Sequence, residues 1–253
     1  MILNTVETGE GPPLLLLHGL MGSAQNWGGM AKRLGLRHRV VAMDARNHGA
    51  SGHAPGMQYA ALAADVAETL AARGLTRAAV LGHSMGGKIA MMLALTRPEL
   101  VERLVVADMA PVRYLAPSRA YVHAMQGMAL TPGMTRRDAM AALLPAVPEE
   151  GIRAFLVQNL VFDGTAPRWR VALSWIAEGM DDIEDFAPPP GARYAGETLF
   201  IRGSRSDYVL PEYMPAIAGF FPRAAHAAVE AGHWVHADNP AAFLAALEPF
   251  LER

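Results

Sequence analysis

Short, continuous apolar runs that end in glycine or a polar residue recur along the first third of this chain. Three of them are "LLLLHG" at 14–19, "RVVAMD" at 39–44 and "AAVLGHS" at 78–84. Their length and their lack of polar alternation are typical of strands buried on both faces of a sheet. The stretch 58–74, "QYAALAADVAETLAARG", has instead the apolar spacing of a helix and ends in glycine. This alternation of strands and helices predicts an α/β fold with a mostly parallel sheet.

The alternation stops in the middle of the chain, which predicts an inserted unit. It continues to the apolar run "VERLVVADM" at 101–109 and returns with "ETLFIRG" at 197–203. Between these runs, helix-like segments are separated by turn-forming stretches, and the stretch "APPPG" stiffens the return to the sheet. We therefore predict an α/β core formed by 1–110 and 193–253, with a helical cap at 111–192. A length of 253 residues with 52% hydrophobic content suits one domain with such an insertion.

The composition excludes several classes of function. A formal net charge of -2 without a basic run argues against nucleic acid as a partner, and the absence of cysteine excludes thiolate chemistry. His48, His53, His233 and His236 have no ligand spacing, so we expect no metal and no cofactor. The first residues lack the pattern of a signal peptide, and the apolar runs are too short to span a bilayer. We expect a cytoplasmic protein without stable membrane insertion.

One motif combines a sharp turn with a nucleophile. Gly82-His83-Ser84-Met85-Gly86 has the pattern G-x-S-x-G and lies between a predicted strand and a predicted helix. In that context the turn is strained, the serine hydroxyl is exposed, and the start of the helix presents backbone N–H groups to developing negative charge. The alternative is an ordinary glycine-rich turn with an idle serine. We predict that Ser84 is a nucleophile.

A serine hydroxyl needs a base, and "EAGHWVHADNP" supplies two histidines near the C-terminus. His233 follows the last predicted strand and precedes the final helix, at the edge of the sheet where Ser84 is expected. His236 is the alternative, but its position nearer the helix start favours a structural or surface role. We predict that His233 is the base.

Two backbone amides are candidates for an oxyanion hole. One is that of Met85, and the other is that of Leu20, in the loop after the run that ends in His18 and Gly19. His18 itself is predicted to be structural. The loop lacks the glycine spacings of phosphate-binding motifs.

Several large apolar residues flank the predicted site loops. Met21 and Met109 suggest a flexible acyl pocket together with Trp27 and Trp234 at its entrance, although all of them could equally be ordinary core packing.

Five blocks of the chain, in order, are "HGLMGSAQNW", "DARNHGASGH", "LGHSMGGKIAMMLALTRPELVERLVVADMAPV", "FIRGSRSDYVLPE" and "AGHWVHADNP". Together they resemble the α/β-hydrolase superfamily and, within it, the small YbfF-like esterases and their mitochondrial relatives. The resemblance implies an eight-stranded, mostly parallel sheet flanked by helices, with a helical cap inserted after the sixth strand. Asn47 stands where many members have glycine, and asparagine tolerates a left-handed turn better than most residues.

The acid that should orient His233 has two candidates. In the commonest pattern of the superfamily it lies three residues after the glycine ending the seventh strand, and counting from Gly203 reaches Ser206, with Asp207 one residue later. Asp108 follows the neighbouring strand, and the YbfF-like esterases resemble this chain in placing the acid there with a serine at the Ser206 position. We predict Asp108 as the acid and Ser206 as its hydrogen-bonding support, and Asp207 remains the alternative.

These residues predict a serine hydrolase that cleaves a small acyl ester or thioester through an acyl-enzyme intermediate. Dehalogenases and epoxide hydrolases of this fold are disfavoured because they use an aspartate where this chain has Ser84. The same residue set also serves cofactor-free haloperoxidases and C–C hydrolases, and a non-catalytic ligand receptor on this fold is a further alternative. The sequence does not predict the oligomeric state.

Overall fold

The computed structural model of the chain describes residues 1–115 and 118–252. The strands are β1 Thr5–Thr8, β2 Pro13–Leu17, β3 Arg39–Met43, β4 Ala78–His83, β5 Val101–Ala107, β6 Leu160–Val161, β7 Arg168–Trp169, β8 Thr198–Gly203 and β9 Ala224–Val229. The helices are α1 Gly28–Leu34, α2 Tyr59–Ala72, α3 Met85–Thr96, α4 Ser118–Gly127, α5 Arg136–Leu143, α6 Glu150–Val157, α7 Leu173–Glu178, α8 Met180–Glu184, α9 Met214–Phe220, α10 Val235–Asp238 and α11 Pro240–Leu251. Short 3₁₀ turns lie at Ala24–Trp27, Pro98–Leu100 and Pro211–Tyr213.

The main sheet is mostly parallel, as predicted. Its strand order is β1-β3-β2-β4-β5-β8-β9, and β1, which pairs with β3, is antiparallel. The described residues give this sheet seven strands, so the expected number of eight is wrong. The reason lies at the N-terminus, where β1 is the single strand formed before β2. The inserted segment therefore follows the fifth strand of this chain rather than the sixth.

Strand β2 is buried on both faces of the sheet. Its side chains alternate between two apolar layers, because successive residues of a strand point to opposite faces. Leu14 and Leu16 pack with α1 and α11, whereas Leu15 and Leu17 pack with α2 and α3, and all four are 3% exposed or less. The continuous apolar run in the sequence therefore reflects burial on both faces.

Helices α4 to α8 lie between β5 and β8 in the chain. The segment is not wholly helical, because β6 and β7 form a two-stranded antiparallel hairpin. Strands of two residues are too short to produce an alternating pattern in the sequence. No helix in the described part of the chain is long and apolar enough to cross a bilayer.

Two hydrogen bonds to backbone carbonyls join this segment to the core. Asn159 Nδ2 donates to the Met21 carbonyl at 2.8 Å, and the Ala172 amide donates to the Asn47 carbonyl at 2.9 Å. Asn47 has a φ of 66°, so its predicted left-handed conformation is confirmed. The two contacts place the inserted segment over the loops that follow β2 and β3.

Candidate active site

Ser84 lies on a sharp turn between β4 and α3. Its backbone has φ 53° and ψ -120°, a region that costs free energy for any residue with a Cβ. A Cβ on Gly82 would lie 2.1 Å from the Gly86 carbonyl oxygen, and a Cβ on Gly86 would lie 2.3 Å from the Leu17 carbonyl oxygen. The expected strain at the serine and the need for both glycines of the motif are therefore confirmed.

The imidazole of His233 lies between Ser84 and Asp108. Its Nδ1 is 2.8 Å from Oδ2 of Asp108, and its Nε2 is 3.0 Å from Oγ of Ser84. An ionised carboxylate can only accept hydrogen bonds, so Nδ1 carries the proton and Nε2 is free to accept one from the Ser84 hydroxyl. The side chain of His233 is 17% exposed, and that of Asp108 is fully buried. The three groups thus form a continuous hydrogen-bonded series.

The carboxylate of Asp108 has partners on both oxygens. Oδ1 accepts the Gly203 amide at 2.8 Å, and Oδ2 accepts the Ser206 hydroxyl in addition to His233. Asp207 is exposed and forms no hydrogen bond to His233. Strands β5 and β8 pair directly, so the two aspartates follow neighbouring strand tips, as the sequence predicted. The structure brings Asp108 and Ser206 to the imidazole and leaves Asp207 outside.

His83 contributes a contact that the sequence did not reveal. Its Nε2 donates a hydrogen bond to the backbone carbonyl of His233 at 2.9 Å. Burial lowers the pKa of His83 well below its ordinary value, and the neighbouring His236 and His233 lower it further. The residue before Ser84 therefore ties the strained turn to the loop that carries His233.

His236 does not contact Ser84. Its ring stacks on Trp27 with centroids 4.4 Å apart, and burial lowers its pKa to about 4. Trp27 is only 1% exposed, so its expected place at the entrance is wrong: it forms part of the inner wall. The two buried rings pack against each other, and a structural role for His236 agrees with the sequence analysis.

The loop after β2 carries the predicted amide of Leu20. His18 holds this loop, because its Nδ1 lies 2.7 Å from the Gly19 carbonyl and its Nε2 accepts the Ala45 amide at 3.0 Å. Among residues 1–115 and 118–252, the amides of Leu20 and Met85 donate to no acceptor. Both residues line the cavity that contains Ser84. The two N–H groups are thus available to a ligand atom.

A cavity of about 260 Å³ opens above Ser84. Met21, Trp27, Met109 and Trp234, which the sequence analysis proposed for the pocket, all line it. Other apolar walls come from the inserted segment, and they include Tyr121, Ile152, Phe155 and Leu156. The arrangement can accommodate a mainly apolar group beside the serine.

Lys88 is a lining residue that the sequence analysis missed. It is 1% exposed, and its Nζ donates to the carbonyls of Glu184 and Asp185, both at 2.9 Å. Burial lowers the pKa of Lys88 to about 7, and the nearby carboxylates of Asp185 and Glu184 oppose this change. A signal was present in the sequence, because Lys88 is the one charged residue in the otherwise apolar helix α3.

A serine on a strained strand-to-helix turn, a histidine on a late loop and a buried carboxylate on one edge of a parallel sheet define the α/β-hydrolase class. The family model described as the alpha/beta hydrolase family matches residues 14–246. The chain belongs to this family.

Curated relatives and a solved structure cover nearly the whole chain. The sn-1-specific diacylglycerol lipase ABHD11 of Mus musculus is 42% identical over 249 residues, which are 95% of this chain and 81% of that protein. The esterase YbfF of Escherichia coli is 36% identical over 241 residues, covering 94% of this chain and 92% of that protein. A solved structure named as a marine microorganism esterase has a TM-score of 0.94 at 32% identity and covers 99% of this chain and 98% of that one. The predicted resemblance to the YbfF-like esterases is confirmed.

Proposed function

We propose that this protein is a carboxylesterase-type serine hydrolase that cleaves small acyl esters through an acyl-enzyme formed on Ser84. The observation that carries the proposal is the hydrogen-bonded series from Ser84 Oγ through the imidazole of His233 to the Asp108 carboxylate, with separations of 3.0 and 2.8 Å. The names of the relatives, an esterase and a lipase, support ester cleavage over the other activities of this fold.

The reaction proceeds in two steps. Ser84 Oγ attacks the acyl carbonyl while Nε2 of His233 takes its proton, and Asp108 holds the ring and stabilises the imidazolium. The oxyanion is bound by the amides of Leu20 and Met85. His233 then protonates the departing oxygen or sulfur, and in the second step it activates the water that releases the acid. Because a thiolate is also a good leaving group, the same steps would cleave thioesters.

The inserted segment determines the size of the acyl group in this proposal. Residues 111–192 act as a cap, and α6 supplies Ile152, Phe155 and Leu156 to the cavity wall. The loops after β2 and β5 add Met21 and Met109 to the lining, and their unbranched side chains adapt to irregular shapes. A mainly apolar acyl chain suits such walls, whereas a charged group would lose its hydration there.

The test is a product profile with p-nitrophenyl esters of graded chain length, acyl-CoA thioesters and a diacylglycerol. We expect hydrolysis of at least one ester series, and a loss of activity on the order of 10⁶-fold in Ser84→Ala. A fluorophosphonate probe should label the wild-type protein at Ser84 and leave the variant unmodified. Labelling without hydrolysis of any ester or thioester would favour a haloperoxidase or C–C hydrolase. Neither labelling nor turnover would favour a ligand receptor.

A further inference from the structure

The imidazole of His233 is stacked on the ring of Tyr208. The two ring centroids are 3.9 Å apart, and the planes are 20° from parallel. The other aromatic neighbours are farther away and more steeply inclined: His83 lies at 4.8 Å and 44°, and Trp234 lies at 5.6 Å and 65°. Tyr208 therefore covers one face of the ring that accepts the Ser84 proton in the proposed reaction.

The backbone of Tyr208 is fixed on both sides. Its amide donates to Oγ of Ser206 at 3.3 Å, and its carbonyl accepts the hydroxyl of Tyr114. The Tyr114 hydroxyl also accepts the Ala110 amide at 2.9 Å, and the two tyrosine rings lie 5.2 Å apart. In the described part of the chain, the Tyr208 hydroxyl forms no hydrogen bond. These contacts hold the ring in place without using its polar atom.

Asp108 is the charged group that contacts the imidazole of His233, and the aromatic groups around it are neutral. The carboxylate of Asp108 meets one edge of the imidazole. Burial holds the pKa of His83 well below its ordinary value and lowers that of His236 to about 4, so both are neutral near pH 7. Burial raises the pKa of Tyr208, which keeps its phenol neutral. A positive charge on His233 therefore faces a carboxylate at its edge and a neutral aromatic face above its plane.

We propose that Tyr208 is a positioning residue that stabilises the imidazolium form of His233 through the face of its ring. The inference rests on the proposed function, because the imidazolium forms when Nε2 takes the proton from Ser84 Oγ and disappears when that proton passes to the leaving group. An aromatic face is the negative part of the ring quadrupole and attracts a cation placed over it. In a site shielded from water, this attraction corresponds to about 5- to 30-fold in rate.

The test compares two substitutions of similar volume, Tyr208→Met and Tyr208→Phe, on the best ester found for the wild-type protein. Methionine fills the space without a π-system, and phenylalanine keeps the face and removes the hydroxyl. We expect Tyr208→Met to lower kcat about 5- to 30-fold with KM within about twofold, and Tyr208→Phe to stay within about twofold in both. Circular dichroism and thermal melting confirm that each variant is folded. If Tyr208→Met does not fold, Tyr208→Leu is used, and the same loss of kcat is expected.

Three results would overturn the inference. The first is a Tyr208→Met variant with wild-type kcat. The second is a Tyr208→Phe variant that loses as much kcat as Tyr208→Met, since the hydroxyl would then be the working group. The third is a change confined to KM, since the ring would then only line the cavity. Failure of the proposed function is distinguishable from all three, because the wild-type protein itself would then hydrolyse no ester or thioester, with or without labelling of Ser84.

Discussion

The hydroxyl of Ser206 donates a hydrogen bond to Oδ2 of Asp108, the oxygen that also accepts Nδ1 of His233. Oδ1 of the same carboxylate accepts the Gly203 amide. A carboxylate held by several donors has little freedom to rotate, and hydrogen bonding stabilises its charge. The orientation of the imidazole therefore depends on the tips of two adjacent strands, β5 and β8, and on the direct pairing between them.

Asparagine substitutions at the two candidate acids should have very different effects. Asp108→Asn keeps the shape of the side chain, but it removes the charge and allows the wrong imidazole tautomer, so we expect kcat to fall by about 10⁴-fold. Asp207→Asn is the matched control; because Asp207 is exposed, kcat should stay within about twofold of the wild-type value. Steady-state kinetics on one p-nitrophenyl ester measures both. A large loss in Asp207→Asn alone would contradict the assignment.

Substitution of Ser206 should have a smaller effect than substitution of Asp108, to which it donates a hydrogen bond. Ser206→Ala removes one donor from Asp108 and leaves the carboxylate and His233 in place, so we expect kcat to fall about 10-fold, as for the loss of a hydrogen bond to a charged group. Ser206→Thr keeps a hydroxyl and should retain most of the activity. Kinetics of the two variants on one ester gives the comparison. Equal losses of kcat in Ser206→Ala and Ser206→Thr would show that the shape of this side chain, rather than its hydrogen bond, affects the rate.

The sequence pointed to Ser84 and His233, which the structure brings within 3.0 Å of each other, because the position of each depends on local geometry. The glycines around Ser84 are required by backbone contacts within a few residues and by the adjacent strand β2, and His233 lies on the loop directly before α10. The sequence did not decide between Asp108 and Asp207 as the acid, because the two residues follow strands that are neighbours in the sheet. Spacing along the chain cannot distinguish two residues that arrive at the same edge. The direction of each side chain, which only the folded loops define, makes the distinction.

Other contacts of the site had no detectable sequence signal. His83 donates to the backbone carbonyl of His233, and Tyr208 stacks the face of its ring on the same residue. Such contacts depend on which loops, far apart in the sequence, lie side by side in the fold, and residue type alone does not indicate this. The strand count was also overestimated, because the superfamily pattern implied one more strand than the N-terminal segment forms. Lys88 is different, since a lone charge in an apolar helix was visible in the sequence.

Alanine at Gly86 should damage the fold. A Cβ there would lie 2.3 Å from the Leu17 carbonyl oxygen and 2.6 Å from that of His18, and backbone atoms cannot move as a flexible side chain can. We expect Gly86→Ala to lower the free energy of unfolding by at least about 2 kcal/mol and to abolish activity.

Gly29→Ala is the matched control. Gly29 lies in α1, and a Cβ added to it would meet nothing within 4 Å, so the change should stabilise the protein by about 0.5 to 1 kcal/mol. Urea unfolding followed by circular dichroism measures both, and a stable, active Gly86→Ala variant would contradict the packing argument.

Lys88 should give the stability of the protein a distinctive pH dependence. Burial lowers its pKa from 10.5 to about 7, so between these values the unfolded chain binds a proton at Lys88 that the folded protein lacks. The free energy of unfolding therefore rises with pH across this window, by at most about 1.4 kcal/mol per pH unit for this group. Lys88→Met removes this contribution. The unfolding free energy of the wild type minus that of the variant should therefore increase from pH 7 to pH 10.

The control uses the other lysine of the chain. Lys32 is exposed on α1, so Lys32→Met should leave the pH dependence unchanged. Urea titrations at pH 7, 8, 9 and 10 give the free energies of unfolding. Loss of the hydrogen bonds to Glu184 and Asp185 shifts the values for Lys88→Met by a constant amount. The test therefore compares how the free energy of unfolding changes with pH, not its absolute value. Parallel curves for wild type and Lys88→Met would mean that the folded protein keeps Lys88 charged throughout. The three carbonyls near its Nζ would then outweigh the effect of burial.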